Sequence, residues 1–229
     1  LLSVIRIFSE LNRYICQMNV KMNLSKYSAQ PISTQVLLGL LKGYSRPYDK
    51  IMEMVNQGII CQLRRGLYMT TSLVSTNAPE PFLIANHLYG PSYVSLDSAM
   101  FYWGLIPERV FEVSSVTPKI SKKIMTQNVV FSFTHLPETY YPLGIKSFSL
   151  TETQTILIAS PEKALCDKVI TTTGINLRSK KQALAFLVED LRIEKDQLRE
   201  LDLRGMLKWL SVCPKSGSIK ILIEAIAEL

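Results

Sequence analysis

The stretch PISTQVLLGLLKGYSRPYDKIMEMVNQGIICQLRRGLYMT, residues 31–70, decides how the chain begins to fold. Pro31 reads as opening a helix over ISTQVLLGLLK that Gly43 ends, since proline suits a first turn and glycine a C-terminus. A further helix starts at Ser45–Pro47, with Ser45 as the cap and Pro47 in the first turn, where its missing N–H is no loss. Tyr48, Ile51, Met52 and Val55 recur at helical spacing and predict its buried stripe; Gly58 stops it. IICQLRRGLYMT then holds two short β-prone runs around Arg64-Arg65-Gly66, the pattern of a hairpin with a basic tip. Gly66 is expected at a turn position with φ > 0 and Tyr68 as a core aromatic.

Upstream, residues 1–19 predict an amphipathic helix, with Leu1, Val4, Ile5, Phe8, Leu11, Ile15 and Met18 on one face. Arg6, Glu10 and Arg13 interrupt this segment and no small-residue cleavage site follows, so it is not expected to be a signal peptide. Helix, tight turn, helix and then a hairpin with a basic tip is the order of a winged helix-turn-helix. In that fold the last helix rests one face on its neighbours and offers the other to a major groove. Removing the apolar stripe leaves Arg46, Asp49, Lys50, Glu53 and Gln57 facing outward, with the cations toward the N-terminal half, where the helix dipole favours phosphate. Arg64 and Arg65 are placed to reach a flanking phosphate or the minor groove. Ser45, Arg46, Lys50, Arg64 and Arg65 are therefore the expected contacts to double-stranded DNA. The alternative is a winged helix that contacts only protein.

Charge agrees with the DNA reading. The 229 residues carry +7, and residues 1–75 hold nine Lys/Arg against three acids, leaving only +1 for the other 154. A basic third joined to a near-neutral remainder points to a polyanionic partner. Pro81–Leu96, the longest stretch free of charged residues, contains Asn86, His87, Gly90 and two prolines, so no membrane partner is expected. Four scattered cysteines and two histidines, 87 and 135, lack the close pairs of a zinc site, and reduced thiols point to the cytoplasm.

The polar stretch TTSLVSTNAPEP reads as a boundary, dividing a 1–75 domain from a 76–229 domain. The second domain is expected to be α+β with a helical C-terminus. EVSSVT, NVVFSFTHL, IKSFSL and TQTILIA are its strand candidates, with a polar, basic PKISKKIMTQ between the first two. YVSLDSAMFYWGL enters a helix near Ser95. In SPEKALCDKVIT, Ser160 is the cap, Pro161 the first position and Glu162 a complement to the dipole. KKQALAFLVEDLR, RGMLKWL and SIKILIEAIAEL complete the helical end.

GLYM after an Arg-Arg hairpin, then YVSLDSAMFYWGLIPE, VSSVTPK and IASPEKALCDKV in that order, resembles the AbiEi antitoxin family of bacterial abortive-infection systems, over about Pro31 to Leu191. The resemblance implies a type IV antitoxin that represses its own operon by binding its promoter through the winged helix. It also implies a C-terminal domain that counteracts a nucleotidyltransferase-like toxin without a stable complex. A homodimer on DNA is left open. The matching positions are Arg65, Gly66, Tyr68, Ser95, Ser98, Pro161, Glu162, Lys163 and Asp167. Ser95 and Ser98 read as cap and first-turn groups. Lys163 and Asp167, four apart, read as a surface pair worth a few tenths of a kcal/mol, or as an antitoxic surface.

Catalysis is the least supported class. Glu162-Lys163 and Glu194-Lys195 are adjacent and helical, so neither gives the strand alternation of a nuclease carboxylate–lysine pair. The SGS at 216–218 precedes a helix without paired aspartates, which a nucleotidyltransferase needs. No phosphate loop and no nucleophile turn occur, and His87 and His135 read as structural. No cofactor, metal or catalytic residue is therefore expected.

Overall fold

The computed structural model describes residues 20–108, 111–126 and 129–229. The helix expected at 1–19 lies outside them. The fold is mixed α+β, 40% helix and 21% strand, with a helical C-terminal region, so neither an all-α nor an all-β class fits. Two compact units divide the chain, the first ending at Ile84 and the second running from Ala85 to Leu229.

In the first unit, helical residues 20–25 lead to β1 (Ile32–Ser33), α1 (Thr34–Leu40), α2 (Pro47–Asn56), β2 (Ile60–Arg64) and β3 (Leu67–Thr70). The three strands form an antiparallel sheet in the order β1-β3-β2. Pro31 does not open a helix. It precedes β1, and α1 starts at Thr34 because the Ser33 hydroxyl accepts the Val36 N–H at 3.4 Å. Gly58 (φ 68°) ends α2 as expected, and Gly66 (φ 83°) takes the left-handed turn position between β2 and β3. Leu24, Ile32, Leu37, Leu41, Ile51, Met54, Ile60 and Tyr68 are buried together as the core. Each such side chain contributes about 1.5–3 kcal/mol by leaving water.

The second unit is built on a six-stranded mixed sheet. Its elements are α3 (Pro81–Leu88, which begins before the boundary), β4 (Tyr93–Val94), α4 (Leu96–Tyr102), β5 (Glu112–Thr117), β6 (Lys122–Thr126), β7 (Val129–His135), β8 (Ile145–Thr151), β9 (Gln154–Ala159) and α5 (Pro161–Thr171). The sheet order is β6-β7-β5-β4-β9-β8. β5 lies between β7 and β4 and is buried on both faces from Val113 onward, whereas the edge strand β8 is mostly exposed. The basic connection after EVSSVT is itself partly strand: β6 pairs antiparallel with β7.

The helical end holds α6 (Lys180–Ala185, running on as a π-helical turn to Asp190), α7 (Lys195–Arg199), α8 (Leu203–Trp209) and α9 (Ser216–Ile226). Lys215 precedes α9 with φ 52°, and its ammonium donates to the carbonyls of Val169, Thr172 and Ile175, each at 2.9 Å. These include the end of α5, where carbonyls lack helical partners and a cation also meets the favourable end of the dipole.

Candidate functional site

In the first unit the expected DNA contacts fall into two groups. Arg64 and Arg65 are exposed where β2 turns into β3, held there by the left-handed Gly66. The second group lies on α2, whose buried positions are Ile51 and Met54 with Val55 half-buried. Tyr48 and Met52, expected inside, are 64% and 53% exposed. Ile51 and Val55 face inward as expected, and the helix is rotated so that Met54, three residues beyond Ile51, is buried in place of Tyr48 and Met52.

This rotation changes the outward face. Ser45 is exposed but is not the cap; Arg46 holds that position without a side-chain cap bond. The Arg46 side chain is 81% exposed and pairs with Asp49 at 2.7 Å. Lys50 is mostly covered, 2.9 Å from Glu53, with its ammonium 5.6 Å from the Tyr44 ring centroid. Both α2 cations are thus partly neutralised by acids on the same helix. At the hairpin, Arg64 Nη1 donates to the Arg65 carbonyl at 3.2 Å, a bond that leaves the guanidinium charge in place.

The pair expected on a surface in the second unit is instead in the core. Lys163 and Asp167 are both 0% exposed, with Lys163 Nζ 3.1 Å from Asp167 Oδ1. Asp167 Oδ2 accepts the Tyr93 hydroxyl at 2.9 Å and the Ser95 hydroxyl at 2.7 Å. Lys163 Nζ donates to the Tyr140 carbonyl at 3.2 Å and lies 3.2 Å from the centroid of the Tyr140 ring. The helix brings this pair inside because it is apolar around the two charges: Ala164, Leu165, Cys166, Val169 and Ile170 are all buried. Burial also draws both groups toward their neutral forms. It lowers Lys163 against the opposing pull of Asp167, and raises Asp167 against Lys163 and the Ser95 and Tyr93 hydroxyls.

Ser95 does take the N-cap position of α4, but its hydroxyl serves Asp167 and not the helix. Ser98 and Ser114 exchange bonds that fasten α4 to β5: each backbone N–H donates to the other's hydroxyl, at 3.1 and 2.8 Å. Tyr93 and Tyr140 carried no sequence signal of their own; only the fold places them around the ion pair. Gly144 (φ 66°) closes the cluster, since a Cβ there would lie 2.8 Å from Lys163 Cβ and from Trp209. This arrangement positions charges rigidly without exposing them to a reactant.

Elsewhere in this unit a shallow cavity of about 630 Å³ is lined by Tyr89, Pro118, Lys119, Ile120, Ser121 and His135. The His135 Nδ1 lies 3.1 Å from the Lys119 carbonyl oxygen. Among the described residues no three His, Cys, Asp or Glu side chains gather as a metal site, and no helix is long and apolar enough to cross a membrane. No protein-family model matches the chain, and no curated protein matches it.

Proposed function

We propose that this chain is a DNA-binding transcriptional repressor that acts as the antitoxin of a type IV, abortive-infection toxin–antitoxin system and autoregulates its own operon. The observation that carries the reading is the order of the first unit: helical residues 20–25, β1, α1, α2 and the β2–β3 hairpin, with sheet order β1-β3-β2. That is the order of a winged helix-turn-helix, in which α2 addresses a major groove and the hairpin is the wing. Arg64 and Arg65 at the wing tip supply phosphate contacts, and Arg46 and Ser45 stand at the N-terminus of α2.

The resemblance to the AbiEi family adds the antitoxin role. Two of the blocks that carry it, YVSLDSAMFYWGLIPE and IASPEKALCDKV, meet in one core through Tyr93, Ser95, Lys163 and Asp167. In this reading the second unit neutralises a nucleotidyltransferase-like toxin without a stable complex. The chain works in the cytoplasm, without a cofactor and without catalysis of its own.

A mobility shift of the full chain on DNA from immediately upstream of its gene, against scrambled DNA of equal length, tests the repressor reading. Upstream DNA is expected to bind more tightly. In the Arg64→Ala/Arg65→Ala variant both DNAs bind more weakly, and the slope of log affinity against log salt falls by about one for each phosphate that is no longer neutralised. Equal, salt-insensitive retention of both DNAs would overturn it. Expressing the full chain with the neighbouring toxin gene tests the second role, with restored growth as the expected result.

A second reading, a winged helix that contacts protein, is favoured by one observation. The outward face of α2 presents Tyr48 and Met52 beside Asp49 and Glu53, a surface suited to a mixed apolar–basic partner.

A further inference from the structure

The basic segment between β5 and β7 meets a second acid-free stretch in space. Pro118–Pro137 contains Lys119, Lys122, Lys123 and His135 but no Asp or Glu, and Pro81–Leu96 contains no charged residue. The two meet at Tyr89, just beyond α3. The ammonium groups of Lys119 and Lys122 lie 5.5 and 5.6 Å from the centroid of its ring, within reach of the attraction between a cation and an aromatic face. Lys123 pairs with Glu112, whereas among the described residues neither Lys119 nor Lys122 has an acidic partner. Two cations gathered around one ring leave a local excess of positive charge.

The surroundings are held in place. Lys119 Nζ donates to the Gly90 carbonyl at 2.6 Å, and the Tyr89 hydroxyl donates to the Ile120 carbonyl at 3.2 Å. The His135 backbone N–H donates to the Ser121 hydroxyl at 2.9 Å, and its Nδ1 lies 3.1 Å from the Lys119 carbonyl oxygen. A carbonyl only accepts, so the proton is on Nδ1 and Nε2 is the ring's remaining polar atom. The Tyr89 ring also meets the buried Phe133 edge-on, with centroids 5.2 Å apart. The loop pinned in this way presents Ile120, 84% exposed, beside Pro118 on the wall of the 630 Å³ cavity, a volume in the range of small-molecule sites. An apolar wall and a cationic rim thus face one space.

We propose that this cavity is a binding site for a phosphate monoester carried on a flat, apolar body, the chemistry of a nucleotide. Lys119 and Lys122 hold the phosphate, His135 Nε2 meets the linking sugar, and the flat body lies against Ile120 and Pro118. A bare anion would leave the apolar wall in water. A neutral ring would leave the two ammonium groups uncompensated. The two halves of the cavity therefore select a ligand that carries both. The site lies wholly in the second unit and does not depend on the DNA reading of the first.

Titration of the full chain with adenosine monophosphate, followed by calorimetry and by the ring-proton NMR signals of its two histidines, tests the proposal. The expected result is one-site binding that shifts the His135 signals more than those of His87, with inorganic phosphate and adenosine each binding about tenfold more weakly or worse. Lys122→Gln should weaken nucleotide and phosphate alike by about tenfold, the loss of one charge-assisted bond. Ile120→Ser should weaken the nucleotide and leave phosphate unchanged. Both side chains are exposed, so both variants should keep the parent's melting curve. Arg64→Ala/Arg65→Ala should lose DNA affinity and keep the nucleotide, so a failure of either reading shows separately. Unmoved His135 signals at millimolar nucleotide, or binding lost in the wing variant but kept in Lys122→Gln, would overturn the proposal. Phosphate or adenosine binding as tightly as the nucleotide would overturn the two-part ligand.

Discussion

Two helices of this chain carry a lysine and an acid about one turn apart, and they use the pair in opposite ways. On α2, Lys50–Glu53 and Arg46–Asp49 sit at the boundary with solvent and lower the free positive charge of an outward face. On α5, Lys163–Asp167 is sealed from water and surrounded by Tyr93, Ser95 and Tyr140. Spacing along a helix determines that two side chains can meet; the residues around them determine whether meeting matters. A solvated pair contributes about 0–1 kcal/mol, because water screens it and ordering two long side chains opposes it. A buried pair is different in kind. Its net contribution over an apolar pair is small, but removing one partner strands the other charge in the core.

The largest effect expected from this contrast is on α5. Lys163→Ala or Asp167→Ala should each destabilise the fold by about 3–5 kcal/mol in urea unfolding. The double variant should lose clearly less than the two single losses together, because no lone charge remains. Single losses below about 1 kcal/mol would place the pair in contact with water and erase the contrast.

An intermediate effect is expected at alkaline pH. Burial pushes the Cys213 thiol up to about 11, the Tyr141 phenol up to about 12, and Cys166 well above the usual thiol range. A raised folded-state value means that these groups favour folding fully below the unfolded value, 9.0 for the thiol, and lose that contribution as pH rises toward about 11. The melting temperature should therefore be flat from pH 7 to about 8.5 and fall steeply between about pH 9 and 11. Cys213→Ala should make that alkaline fall shallower. A melting temperature that rises across the same interval would show that the thiols are ionised in the folded chain.

The smallest effect is expected at α2. Asp49→Asn and Glu53→Gln should each change stability by less than about 1 kcal/mol by thermal unfolding. DNA affinity should hold or rise, because each change releases a cation. A marked loss of affinity would mean that these carboxylates accept from a cytosine amino group and read bases directly.

Much of the local structure was legible in the residues. Ser160 caps α5, accepting the Lys163 N–H, and Pro161 takes the first position, as their chemistry requires. Gly58 and Gly66 both adopt the positive φ that their turns demand. Phase was harder to read. Ile51 and Val55 are compatible with either Tyr48 and Met52 or Met54 beside them on a helical stripe, and packing within the first unit selects Met54. The burial of Lys163 and Asp167 was hidden as well: Glu162, Lys163, Asp167 and Lys168 make α5 read as a surface helix, and only packing around Ala164, Leu165, Cys166, Val169 and Ile170 draws the pair inside. β6 was hidden because its lysines and exposed Met125 give no inward stripe; pairing with β7 defines it.

Lys215 has a further consequence, for the kinetics of folding. Its three hydrogen bonds close 46, 43 and 40 residues of chain at once. Chain entropy must be lost over that whole span before any of the three bonds forms, so a nucleus built from nearer contacts comes first. The latch is therefore expected to close after the barrier, and Lys215→Met is expected to speed unfolding more than it slows folding.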